Sequence, residues 1–236
     1  MSGLALYLGI AGVIALLGAH PTGRAWLSRQ GWLHPVMAAL AVASALAAGF
    51  RALSMTGASV VRLTLVLLGG ILLGPLVGRL VGIQERLNVA LQWGARRLPE
   101  YPRMDPSDAS RLGVVLLALN PAGWLAAWIL GLTDDPLFVA WKAALDGLTL
   151  GGLATWRPGP SAVALAAATL VQGLAWATGV ACRPWMEPRG LVAPALAASS
   201  LVWLTLPLLV LGIRKVPLAR LLLAVPTTVL LAAWLG

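Results

Sequence analysis

Charge is what this chain has least of: 11% of its 236 residues are charged and only 8 are acidic. A soluble domain carries about 25% charged residues, so an ordinary water-facing surface is excluded. Cysteine occurs once, as Cys182, which rules out an internal disulfide and any multi-cysteine metal site. The two histidines, His20 and His34, lie in or beside the first loop with no ligand cluster near them in sequence. No metal and no cofactor is expected. HExxH, a glycine-rich phosphate loop, GxSxG and a histidine placed to activate a serine are all missing, so an enzyme is not expected.

What the chain does have is apolar side chain, 59% of the total. A hydrocarbon core about 30 Å thick needs about 20 apolar residues per helix, and nearly all of the sequence parses into such segments. The expected fold is therefore all-α, a polytopic transmembrane helix bundle forming a single integral membrane domain over residues 1–236. Eight spans fit, at about 3–19, 33–50, 58–82, 110–132, 137–156, 160–182, 190–213 and 216–235, or seven if one is re-entrant. The first lacks the basic start of a signal peptide and reads as a retained helix.

A net charge of +9 would suggest nucleic acid on a soluble protein. Here the arginines are better placed to set orientation and meet lipid headgroups, so the bilayer is the expected partner and nucleic acid is not. The loops after spans one, three, five and seven hold Arg24, Arg29, Arg79, Arg86, Arg96, Arg97, Arg103, Arg111, Arg157, Arg214, Lys215 and Arg220. The opposite side holds Arg51, Arg183 and Arg189, beside the acidic Asp134 and Asp135. Such an asymmetry puts both termini outside.

The longest loop opens with IQERLNVALQWGARRL, residues 83–98, whose leucines and Trp93 alternate with charge as in a helix lying in the cytoplasmic interface. Pro99, Pro102 and Pro106 then stop it. Glycines at Gly70, Gly74, Gly78 and Gly82 form a GxxxG series, a helix-packing seam that suits intrachain contact or a homo-oligomer equally.

The most informative stretch is WKAALDGLTLGG, residues 141–152, which spends two charges inside an apolar span. At about 1.5 Å per residue, Lys142 lies about 7 Å and Asp146 about 13 Å from the start of that span. Lys142, Asp146 and Thr149 follow an i, i+4, i+7 spacing and share one stripe. A central Asp or Lys costs about 2.5–3.5 kcal/mol to insert, so this stripe should face the bundle interior or a hydrated cavity and pair. Asn120 and Pro121 in span four, Gln172 in span six, Pro207 in span seven and Pro226 in span eight add polar groups or helix interruptions. Broken helices with an ionisable pair near the midplane are the local pattern of a transporter or channel site.

These residues also carry a resemblance. WKAALDG resembles the K-x-L-L-D-G segment of the bacterial inner-membrane proteins grouped as domain of unknown function 554. LGGILLGPLVGRLVGIQERLNVALQWGARRL, VQG at 171–173 and LGIRKVPLARLLLAVP at 211–226 are similar to further segments of that family, in the same order. The resemblance implies a multi-pass prokaryotic inner-membrane protein of unassigned activity, with Lys142, Asp146, Gly147, Gln172, Gly173, Gly212 and Lys215 in matching positions. The family's early G-T-x-x-N pattern is absent from SGLALYLG. The expected function is transport or conduction of an ion or small polar solute, with a non-transporting membrane scaffold or regulatory subunit as the alternative.

Overall fold

Along the helix over Val60–Leu80 most large apolar side chains face outward and the glycines of its second half face inward, the reverse of a water-soluble helix. Leu63, Val66, Gly70, Gly74 and Gly78 are buried, while Val61, Leu65, Leu72, Leu76 and Leu80 are exposed. The computed structural model describes residues 2–20, 33–55, 60–97, 121–135, 140–149, 158–213 and 217–235. Among these the secondary structure is helical, with no strand.

In chain order the helices are α1 (Ser2–Ala19), α2 (Leu33–Met55), α3 (Val60–Leu80), α4 (Ile83–Arg97), α5 (Pro121–Thr133), α6 (residues 140–149) and α7 (Pro158–Met186). They are followed by α8 (Val192–Trp203), α9 (Leu206–Val210), α10 (Leu218–Leu222) and α11 (Ala224–Trp234). By length and composition, Pro35–Met55 and Val60–Leu80 are long and apolar enough to cross a membrane. Each of the eight segments read from hydropathy contains helix where it is described, but the last two are each split into shorter pieces.

The splits follow from proline. Pro207 and Pro226 lack an N–H and crowd the carbonyl four residues earlier, so the chain turns upstream of each and the helix restarts with proline in its first turn. At the breaks the bonding tightens to three residues, from Thr205 N–H to the Val202 carbonyl at 3.1 Å and from Leu223 N–H to the Arg220 carbonyl at 3.3 Å. Pro121 is the first described residue of α5, and the segment before it, where its interruption of span four would show, lies outside the described residues. Asn120 and the loop prolines 99, 102 and 106 lie outside the described residues.

Helix α8 is the centre of the bundle. Eleven of its 12 residues are buried, and it packs against α2, α3, α5 and α11. A helix apolar all round needs neighbours on every side. Its hydroxyls are satisfied within the helix, Ser199 donating to the Ala195 carbonyl and Ser200 to the Ala197 carbonyl.

Close approach between helices is set by glycine. A side chain at Gly74 would overlap the backbone of Ala224, and at Gly78 it would come 3.0 Å from Arg220 Cα. The seam therefore seats α3 on α10 and α11 within one chain. Gly82 does not belong to it: with φ +65° it caps α3 in the left-handed region and turns the chain into α4. A second crossing, of α5 on α7, sets Gly131 and Gly179 against each other, and a Cβ on Gly131 would lie 2.9 Å from Gly179 Cα. That contact fixes α7, the helix that carries Gln172.

Candidate functional site

The two charges of WKAALDGLTLGG meet inside the bundle. Lys142 and Asp146 are one turn apart on α6, each 7% exposed, and Lys142 Nζ donates to Asp146 Oδ2. Two further helices close on the pair. Tyr7 of α1 donates its hydroxyl to the same Oδ2 at 2.6 Å, and its ring lies 5.4 Å from the Lys142 ammonium. Gln172 of α7 sets its side-chain oxygen 3.2 Å from Tyr7 Oη. Asp146 thus accepts two charge-assisted hydrogen bonds, from donors on two different helices.

Hydrogen accounting locates what the cluster leaves unused. A phenol has one proton to give, and the charged, nearer Asp146 takes it. Turned through 180°, the Gln172 amide would give Tyr7 Oη an N–H instead, matching donor to acceptor. As oriented, Gln172 Nε2 is buried with no partner among the described residues. In either orientation one polar atom of the Gln172 amide is left without a partner among the described residues, and a buried polar atom so placed costs about 1–3 kcal/mol.

Local sequence explains the assembly. Gly147, next to Asp146, presents no side chain to α1, and a Cβ there would stand 3.2 Å from Ala11 Cα and 3.0 Å from Ile14 Cβ. Its absence lets α1 approach closely enough for Tyr7 to reach the carboxylate. Thr149, read as the third member of the stripe, is not in the cluster: its hydroxyl donates to the Leu145 carbonyl of its own helix at 2.9 Å. Pro207 and Pro226 belong to the split helices and contribute no bond to it.

Tyr7 is the residue that sequence reading missed. One signal was present: Tyr7 is one of only two tyrosines, and it sits about 6 Å from the start of the first span, near the depth of Lys142. The same counting puts Gln172 about 15 Å from the end of its span, beside Asp146 at about 13 Å.

At the periphery, the interfacial segment is helical over Ile83–Arg97, with Val89 and Trp93 exposed. Arg220 donates to Glu85 Oε1 at 2.6 Å. The Glu85 carboxyl is held below its usual range by its own backbone N–H and by Arg220. Arg51 pairs with Asp135 at 3.4 Å, joining the ends of α2 and α5, and Arg62 donates to the Ala232 carbonyl at 3.0 Å near the end of α11. Among the described residues no group of His, Cys, Asp and Glu is arranged to hold a metal ion.

No curated protein and no solved structure matches the chain. One family model does, described as Protein of unknown function (DUF554), over residues 30–233, a stretch that includes Lys142, Asp146, Gly147 and Gln172. The chain belongs to the DUF554 family.

Proposed function

We propose that this protein spans the prokaryotic inner membrane about eight times, with both termini outside, and moves an ion or small polar solute. The observation that carries the reading is the buried Lys142–Asp146–Tyr7–Gln172 cluster, built from three helices. An ionisable pair at that depth is costly and weakly stabilising, so its placement favours a role in transport. The outward leucines and inward glycines of α3 support a lipid surround. In this scheme Asp146 binds or exchanges a cation or proton, Lys142 balances its charge, and the polar atom of the Gln172 amide turned away from Tyr7 hydrogen-bonds the passing solute. No catalytic role is assigned to any residue.

One observation favours the second reading, a membrane scaffold or regulatory subunit: the pair is buried, joined to itself and to Tyr7 of a second helix. On the first reading this is a closed state, and a second state must part Tyr7 from Asp146. Purified protein in liposomes separates the two. Flux of protons, alkali cations or small polar solutes should be measurable and should fall at least tenfold in Asp146→Asn. Wild type inactive across that panel moves the assignment to the scaffold, whereas a fully active Asp146→Asn refutes the role given to Asp146.

A further inference from the structure

Away from the polar cluster, α5, α7 and the α10–α11 pair enclose an open apolar groove of about 470 Å³. Trp128, Ala175, Trp185, Met186, Leu222 and Leu230 line it, with Cys182 beside them. Along α7 the groove runs from Ala175 to Met186, a rise of about 16 Å, which matches half of a hydrocarbon core about 30 Å thick. Its surroundings are outward apolar side chains, among them Leu174 and Leu230.

One end of the groove is charged. The Arg189 guanidinium stacks on the Trp185 ring at 5.0 Å and donates to the Trp185 carbonyl at 2.9 Å. Arg183 is also near that end but pairs with Glu187 at 3.2 Å. Arg189 has no carboxylate partner among the described residues, so its positive charge is available. A leaflet-long apolar slot that ends at a tryptophan-backed arginine has the polarity of a phospholipid: chain within, phosphate at the arginine.

We propose that this groove holds one acyl chain of an anionic phospholipid, whose headgroup phosphate pairs with Arg189. The inference rests on the membrane-spanning part of the proposed function and is independent of transport. An aqueous solute is a poor occupant, because the lining offers it almost no hydrogen-bonding group.

Native mass spectrometry of the full chain in mild detergent, given equal amounts of phosphatidylglycerol and phosphatidylcholine, tests this. Wild type should retain one phosphatidylglycerol in preference to phosphatidylcholine by about fivefold, the worth of one arginine near a membrane surface. Arg189→Gln should bring the ratio to about one, and Ala175→Phe, which fills the groove, should lower retention of both lipids. Equal retention, no retention, a lipid-free dimer, or an unchanged ratio in Arg189→Gln overturns it. Recovery of the chain in the membrane fraction is scored separately. A protein found there that shows no preference defeats this inference alone, whereas a protein absent from that fraction defeats the membrane reading itself.

Discussion

Removing one charge from the Lys142–Asp146 pair should be far more damaging than removing both. Asp146→Asn leaves a buried ammonium, 7% exposed in the wild type, facing an amide and a phenol. Breaking a buried pair in this way costs about 3–5 kcal/mol, most of it the desolvation of the stranded charge. Lys142→Met strands the carboxylate instead, with Tyr7 the remaining donor to it among the described residues. The double variant Lys142→Met/Asp146→Asn buries no ion, and it should lie within about 1–2 kcal/mol of wild type. For a chain of this length 1 kcal/mol moves the midpoint by about 2–4 °C, so each single variant should melt roughly 6–20 °C lower. The assay is tryptophan fluorescence on heating in one detergent, for all four proteins. Strictly additive losses would refute the reasoning, as would single variants that melt with the wild type, since either result means that water bathes the pair. Paired with flux, the double variant also separates function from scaffold: folded but inactive protein supports transport chemistry at the site.

The seam gives a sharper steric expectation. Gly74→Val should destabilise by at least about 3 kcal/mol, because its side chain overlaps Ala224 backbone that cannot rotate away, whereas Gly173→Ala, with open space around it, should stay within about 0.5 kcal/mol; thermal midpoints check both. Gly212 has φ +67° and ends α9, with Ile213 N–H bonded to the Leu208 carbonyl at 2.9 Å, so Gly212→Ala should lower stability by about 1–2 kcal/mol despite ample space, as denaturation will show. The lowered Glu85 pKa carries a sign: a carboxyl depressed in the folded state adds stability above its unfolded pKa, and that contribution is lost as pH falls through the folded value. Acidification below about pH 4.3 should therefore weaken the α4–α10 contact, Arg220→Gln should reduce that pH dependence, and hydrogen exchange along α4 reads it.

The sequence made the apolar segments, the amphipathic helix that begins at Ile83 and the i, i+4 pair legible, because each is a local pattern with a strong physical period. Lys142 and Asp146 announce each other on one helix face, and the glycine series announces a close contact. The partner in that contact was not legible: nothing in 70–78 says that the facing residues are Arg220, Ala224 and Thr228. Gly82 continues the four-residue spacing yet stands just beyond the helix, since periodicity cannot register where a cap begins. Thr149 shows a related limit: a threonine in an apolar helix returns its hydroxyl to the carbonyl four residues back unless a better acceptor is within reach. Tyr7 required a contact across 139 positions, which no local pattern encodes.

That long-range contact bears on how the site would open. The family match begins at residue 30, so Lys142, Asp146 and Gln172 lie within it and Tyr7 does not. The ion pair itself is contained in one helix, and α1 adds the second donor to Asp146 and the link to Gln172. Much of α1 faces outward, with Val13, Leu16 and Leu17 exposed and open space at Gly9 and Gly12, while Tyr7 and Ala11 are buried. By contrast α7 is held by backbone-close contact at Gly131 and Gly179. α1 also packs closely, with Ala11 and Ile14 against Gly147. The nearest backbone atom there is 3.2 Å from a Cβ position, against 2.2 Å at Gly131, so α1 is less tightly seated than α7. Moving α1 by the length of one hydrogen bond frees a lone pair of Asp146 Oδ2 and the Gln172 atom that faces Tyr7 together, without breaking the Lys142 pair. On the transport reading, opening of the site would begin at α1, with Lys142 and Asp146 still joined on α6 until Asp146 takes up its cation or proton.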